Sequence, residues 1–277
     1  MDILYAALAL GGLGALFGIL LSVAAKVFAV EVDERVERIS EVLPGANCGA
    51  CGYAGCTNFA EAVCKGEVDP GCCIPGGKDT AGEICNILGV EGGSSVPVKA
   101  VVFCNGDQEN AVDRFVYDGS PSCKHAEKMG GGFKACPYGC LGLGDCVKEC
   151  PFGAMTMGEN GLPVIDEEAC EGCGICVDAC PRGIIKTIPA DYDRHLVWCN
   201  SKDRGKSVIK ACAVGCNGCK ACVKACPQEA ITVEDNLAVI DVEKCDNCGE
   251  CAAKCKQGAI KPLSEVKGEE VKQPASA

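Results

Sequence analysis

Cys216-Asn-Gly-Cys219-Lys-Ala-Cys222-Val-Lys-Ala-Cys226-Pro227 is the stretch on which the reading of this chain turns. Three thiols recur at every third position, a fourth follows after three more residues, and proline comes next. The proline cannot donate an amide and fixes the turn behind the fourth thiol. The same run stands at Cys170-x2-Cys173-x2-Cys176-x3-Cys180-Pro181. It returns at Cys245-x2-Cys248-x2-Cys251-x3-Cys255, with Lys256 in place of proline.

Composition agrees with a thiolate-rich metal protein. The 277 residues include 27 cysteines but only two histidines, His125 and His195. Both histidines read as surface or packing residues. Asp and Glu outnumber Lys and Arg by 38 to 26, which argues against a nucleic-acid binder. A secreted disulfide scaffold would be shorter and would carry an even cysteine count. Aromatics are 5% of the chain, too few large side chains for an ordinary core of this length. Something other than apolar burial must organise it, in a reducing compartment.

The runs belong to an internal repeat. One copy is Cys136-Pro-Tyr-Gly-Cys140-x5-Cys146-x3-Cys150-Pro151, continuing to Leu162-Pro-Val-Ile-Asp166 and Cys170–Cys180. The other is Cys212-Ala-Val-Gly-Cys216-x5-Cys222-x3-Cys226-Pro227, continuing to Leu237-Ala-Val-Ile-Asp241 and Cys245–Cys255. Cys150 and Cys226 are 76 residues apart, whereas Cys170 and Cys245 are 75 apart. A hairpin loop shortened by one residue explains the change: Gly158-Glu-Asn-Gly161 against Glu234-Asp-Asn236.

Each copy resembles a bacterial two-cluster ferredoxin, in which the fourth cysteine of a run ligates the other cluster. That resemblance implies a [4Fe–4S] cluster on Cys216, Cys219, Cys222 and Cys255, and another on Cys245, Cys248, Cys251 and Cys226. In the first copy it implies one on Cys170, Cys173, Cys176 and Cys150. The remaining run is irregular, because Leu143 stands where the second copy has Cys219. Cys136 is the nearest replacement, giving Cys136, Cys140, Cys146 and Cys180.

Nearer the N-terminus stands Cys48-Gly-Ala-Cys51-Gly-Tyr-Ala-Gly-Cys56, followed by Cys72-Cys73-Ile-Pro-Gly-Gly77. Glycine-rich loops let backbone N–H groups turn toward sulfur and stabilise an anionic centre. Cys48, Cys51, Cys56 and Cys73 make a four-thiolate site, with Cys72 competing for the last place. Four thiolates also suit structural zinc. The CxxCGxxGC run with C-x-P-G-G resembles the four-cysteine iron–sulfur domain of Rnf-type electron-transfer subunits.

Ile3–Ala25 is uncharged and apolar or small, and as a helix would span about 35 Å. It reads as a transmembrane segment. Gly11, Gly14 and Gly18, with Ala7 and Ala15, form a small-residue face suited to helix packing. Lys26, Arg35 and Arg38 on its C-terminal flank place the bulk of the chain in the cytoplasm and the N-terminus outside. Val30–Leu43 has helical periodicity and ends at Pro44-Gly45. A helix over Thr57–Cys64, a Gly/Ser-rich linker over 86–100 and a strand over Val98–Phe103 follow. The polar tail reads as disordered.

Four further cysteines, Cys104, Cys123, Cys199 and Cys212, lie between the runs. Cys104 and Cys199 share a context, Val-Val-Phe-Cys-Asn and Leu-Val-Trp-Cys-Asn. By count these four make a sixth site bridging the copies; the alternative is plain buried thiols. Cys64, Cys72 and Cys85 lack motif spacing and read as free thiols. No G-x-G-x-x-G follows a strand and no P-loop appears, so no nucleotide site is expected here. Lys202, Arg204, Lys206 and Lys210 form a basic stretch, either a solvated loop or a docking patch for an acidic donor.

The expected fold class is α+β. It comprises a transmembrane anchor (1–30), a four-cysteine [4Fe–4S] domain (31–85), a linker and strand segment (86–132), ferredoxin modules over 133–190 and 191–262, and a tail (263–277). Nearly the whole chain resembles the B-type iron–sulfur subunit of Rnf complexes in a long form. That resemblance implies a single-pass protein of a bacterial or archaeal cell membrane carrying five or six [4Fe–4S] clusters. It would relay electrons from reduced ferredoxin to integral membrane subunits, in a complex coupling ferredoxin oxidation and NAD⁺ reduction to Na⁺ or H⁺ export. A membrane-anchored polyferredoxin wiring another reductase or hydrogenase is the alternative.

Overall fold

Short elements held by loops dominate, as expected where glycine and cysteine replace large apolar residues. The computed structural model describes residues 2–27, 33–90 and 96–266. Asp2–Val27 forms α1. The expectation of a transmembrane anchor here is corrected: among the described residues no helix is long and apolar enough to cross a membrane. The single-pass topology loses its support with it. A Cβ added at Gly11, Gly14 or Gly18 would meet nothing within 4 Å; Ala7 lies outside the described side chains.

The first cysteine domain is helical. α2 (Glu34–Val42) starts at Asp33, whose carboxylate accepts the Arg35 N–H at 2.9 Å, a normal N-cap. Its periodicity is as read, with Val36, Ile39 and Leu43 buried; residues 28–32 lie outside the described residues. α3 (Cys56–Cys64) contributes Phe59, Ala60 and Val63. A 3-10 turn over Pro70–Cys72 leads to α4 (Gly77–Leu88), which adds Ile84. These side chains and Cys73 form one core.

Each ferredoxin module is a hairpin with cysteine runs on either side, closed by a strand pair. In module one the elements are β1 (Val98–Val102), α5 (Cys123–Lys128), α6 (Asp145–Lys148), β2 (Met155–Met157), β3 (Pro163–Ile165), α7 (Ile175–Ala179) and β4 (Ile185–Pro189). β2 pairs with β3, and β1 pairs antiparallel with β4 from Val98↔Pro189 to Val102↔Ile185. In module two they are β5 (His195–Val197), α8 (Gly205–Ala211), α9 (Ala221–Ala225), β6 (Ile231–Glu234), β7 (Leu237–Ile240), α10 (Glu250–Lys254) and β8 (Ile260–Pro262). β6 pairs with β7 around Asp235-Asn236, both at positive φ, as a two-residue hairpin turn requires. β5 pairs with β8.

The structural repeat therefore begins earlier than the cysteine runs. β1 belongs to module one, closing it as β5 closes module two. α11 (Leu263–Val266) extends the chain past β8, and Leu263 is buried against Trp198, Leu196, Val101 and Tyr192. The start of the expected disordered tail is thus a packed turn of helix; residues 267–277 lie outside the described residues. The expected linker starts later too, since α4 runs to Leu88.

Candidate metal centres

The cysteine runs sit where loop meets short helix. In four of them the residue before the helix is left-handed: Gly144 (φ 74°), Gly174 (φ 80°), Lys220 (φ 61°) and Gly249 (φ 79°). That reversal turns the thiol in the first turn of each helix, Cys146, Cys176, Cys222 and Cys251, into the module core, and all four are buried. The fourth thiol, at the helix end, faces the other half of its module.

The described geometry sorts the thiols into neighbourhoods. Cys150, Cys170, Cys173 and Cys176 line one cavity. Cys216, Cys219, Cys222 and Cys255 line another. Cys226 and Cys251 pack in the core of module two, with Cys245 close enough to Cys251 to act on its ionisation and Cys248 exposed at the rim. In the first domain Cys48, Cys51 and Cys56 surround Cys73 closely enough to act on its thiol. Cys73 is buried and Cys72 exposed, which favours Cys73 as the fourth ligand. Asn47 Oδ1 accepts the Cys56 N–H at 2.9 Å, tying the two ends of the CxxCGxxGC loop. Gly76 is needed there: a Cβ would lie 2.9 Å from Thr80 and 3.1 Å from Cys73 Sγ.

The irregular run is arranged differently from the expectation. Cys140, Cys146 and Cys180 line one cavity, but their companion is Cys123. Cys136 instead lines a second cavity with Cys104, Cys199 and Cys212, while Cys140 borders both. Spacing alone pairs Cys136 with the module and leaves Cys123 to the bridge, whereas Cys123 lines the first of these cavities and Cys136 the second. The signal that points to Cys123 is length: 31 residues separate Cys104 from Cys136, against 12 between Cys199 and Cys212.

The donor chemistry fits thiolate-ligated clusters. Burial pushes the Cys140 and Cys146 thiols up to about 12, and those of Cys176, Cys199 and Cys251 up to about 11, with neighbouring cysteines adding to the rise. Bare thiols there would stay neutral; bound cations invert that preference. Backbone N–H groups already point at sulfur: Cys140 N–H donates to Cys104 Sγ at 3.4 Å, Ala230 to Cys226 at 3.3 Å and Ala259 to Cys255 at 3.3 Å. Such bonds stabilise a cluster's charge and help to set its potential.

Neither histidine is placed as a ligand. The rings hydrogen-bond at Nδ1, His125 with Ser120 Oγ at 3.0 Å and His195 to Asn247 Oδ1 at 2.7 Å.

Known families match the same segments. The "Putative Fe-S cluster" family model covers residues 43–75. A "4Fe-4S dicluster domain" model covers 133–185 and 215–260, and a second of that description covers 169–231. The B-type subunit of the proton-translocating ferredoxin:NAD(+) oxidoreductase complex of Clostridium ljungdahlii is 47% identical over 94% of this chain and 92% of its own. Its counterpart in the Na(+)-translocating ferredoxin:NAD(+) oxidoreductase complex of Acetobacterium woodii is 45% identical over 91% of this chain and 75% of its own. That of the ion-translocating oxidoreductase complex of Methanosarcina acetivorans is 42% identical over 91% and 95%. With thiolate neighbourhoods in all three cysteine domains and identity sustained over nearly the full length, the chain belongs to the family of B-type iron–sulfur subunits of ion-translocating ferredoxin:NAD(+) oxidoreductase, or Rnf, complexes.

Proposed function

We propose that this chain takes electrons from a reduced ferredoxin and hands them toward integral membrane subunits of the complex. Membership in the family makes it an electron-relay subunit that carries several [4Fe–4S] clusters. Its regular sites are Cys48, Cys51, Cys56 and Cys73; Cys150, Cys170, Cys173 and Cys176; Cys216, Cys219, Cys222 and Cys255; and Cys226, Cys245, Cys248 and Cys251. When bound, the clusters would supply one-electron transfer. The residues space these centres, exclude water and aim N–H groups at sulfur.

The observation that carries the reading is the succession of thiolate sets. Cys48 of the first domain is close enough to Cys173 to act on its ionisation, and Cys176 is likewise close to Cys146. Cys222 is close to Cys251 at the far end. That succession supports transfer along the chain. NAD⁺ is assigned to another subunit, in keeping with the lack of a glycine-rich dinucleotide motif in this sequence.

Anaerobic purification of the native complex tests this. The expected result is iron- and sulfide-containing protein that is reduced by reduced ferredoxin and copurifies with ferredoxin:NAD⁺ activity. A colourless, zinc-loaded native protein would sink the relay. Iron-loaded protein that copurifies with a different reductase or a hydrogenase, without that activity, would favour the alternative wiring role.

A further inference from the structure

We propose that Arg182 and Asp145 are a matched charge pair that sets the reduction potential of the centre served by Cys140, Cys146 and Cys180. Asp145 lowers that potential, and Arg182 brings it back within reach of the neighbouring centres. This rests on the relay reading and deepens it.

Both residues line the cavity that holds the three thiols. Asp145 directly precedes Cys146 and is 7% exposed. Arg182 stands two residues after Cys180, and its side chain is 2% exposed. A charge shut away from water acts on its surroundings far more strongly than one at the surface. Reduction adds negative charge to an iron–sulfur centre, so nearby charge shifts its potential. A buried carboxylate opposes reduction and a buried guanidinium favours it. The other charges near α5 and α6, Lys124, Lys128, Lys148 and Glu149, are exposed and screened by water.

The carboxylate has a structural reason to be there. It accepts from Ser122 Oγ at 2.9 Å and from Lys124 N–H at 3.0 Å, which holds the first turn of α5 against α6. The electrostatic cost falls on the centre beside it. Arg182 is placed to offset that cost. Its guanidinium donates to Gly139 O at 2.9 Å, one residue before Cys140, and to Cys136 O at 2.7 Å. A glycine turn makes room for it: at Gly132, φ 70°, an added Cβ would lie 2.8 Å from Arg182 Nη2. Glu127 pairs with Arg182 at 2.8 Å, but its side chain is 32% exposed, so water screens it more than it screens the guanidinium.

Module two carries neither charge. By the repeat, Ala221 stands in place of Asp145 and Gln257 in place of Arg182. Both line the matching cavity, with Cys216, Cys219, Cys222 and Cys255. The lysines at that cavity, Lys220 and Lys256, are exposed. The two buried charges are thus present together in one copy and absent together from the other, as compensation requires.

Redox titration of the full chain, purified anaerobically and followed by electron paramagnetic resonance, tests the pair, with iron content read alongside. In Arg182→Gln one centre should titrate lower by about 59 mV, a tenfold loss of its reduced form at fixed potential. In Asp145→Asn one centre should titrate higher by a similar amount. Asp145→Asn/Arg182→Gln should return it close to the unaltered value, with iron content unchanged. That restoration separates charge from packing, because two packing losses would add. Unmoved potentials at full iron content would overturn the proposal. So would a double variant displaced as far as either single one. If Arg182→Gln sheds iron, Asp145→Asn decides, and no upward shift in it would overturn the pair. The expected shifts in a chain that reduced ferredoxin cannot reduce would uphold the pair and remove the relay, whereas zinc in place of iron would remove both.

Discussion

Module two takes its first three thiols from one loop, Cys216 to Cys222, and needs little around them. Its core is Val197, Cys222, Ile231, Ala238, Cys251 and Ile260, and Ser201 is its only buried polar residue among those described. Its ion pairs, Lys202–Asp235 at 3.5 Å, Lys244–Asp241 at 3.2 Å and Lys261–Glu265 at 3.8 Å, lie at the surface. Module one gathers thiols from segments far apart in sequence and is braced by buried charge. Lys99 pairs with Glu167 at 3.0 Å, Lys134 with Asp113 at 2.9 Å and Arg182 with Glu127 at 2.8 Å, each cation almost wholly buried. A ligand run that is local in sequence is positioned by its own turns. One assembled from a distance needs side chains to hold its parts in place.

Removing iron should separate the modules most strongly. Module two has no buried ion pair among the described residues to hold its loops once the clusters are gone, and a ligand site absent from the unfolded chain makes binding energy folding energy. On anaerobic chelation its amide protection should fall to that of an unfolded chain. Module one should keep partial protection over β1 and β4 and around the stacked Tyr117 and Phe133 rings, whose centroids are 5.3 Å apart. Equal protection in both apo modules, read by hydrogen exchange, would break the comparison.

Arg182 gives the next largest effect. It follows Cys180-Pro181, and its guanidinium reaches Glu127 in α5, the carbonyls of Cys136 and Gly139 at 2.7 and 2.9 Å, and that of Gly131 at 2.6 Å. One side chain therefore ties the Cys123 helix to the Cys136–Cys140 turn. Arg182→Ala leaves three carbonyls and a carboxylate without this partner and should cost about 3 kcal/mol. Gln257 holds the matching place after Cys255, and among the described residues no comparable fan of bonds surrounds it. Gln257→Ala should change stability by less than about 0.5 kcal/mol. Anaerobic denaturation of both variants checks the contrast; similar losses would show that the brace is not specific to module one.

The same contrast explains what is legible in the sequence. Module two can be read because its ligands, proline and hairpin all lie within a few residues of one another, where spacing alone dictates geometry. The CxxCGxxGC domain is legible for that reason too, down to Cys73. Cys123 is not, since its place depends on how an insertion folds through Asp145 and Arg182, and no local spacing marks it. β1 reads as a strand, but its membership of module one depends on pairing with β4 across more than eighty residues of chain. In the N-terminal segment the apolar run reads as a membrane span, and among the described residues no helix meets that requirement.

The smallest effect concerns the surface at the module junction. α8 buries Val208 and Ala211, with Val208 lining the cavity that holds Cys199 and Cys212, while Arg204, Lys206 and Lys210 remain exposed. The corresponding segment of module one carries mixed charge, with exposed Lys124 and Lys128 close in sequence to Asp118 and Glu127. A basic patch in a chain of net charge −12 can steer an acidic electron donor, and charges at a rim act mainly on association rate. Lys206→Glu/Lys210→Glu should slow second-order reduction by reduced ferredoxin about three- to tenfold at low ionic strength, with the difference vanishing above about 0.5 M salt. Lys124→Glu/Lys128→Glu should change it less than about twofold. Stopped-flow reduction at several salt concentrations reads both. Equal slowing by the two pairs would assign the effect to net charge, and no slowing by either would make α8 an ordinary solvated face.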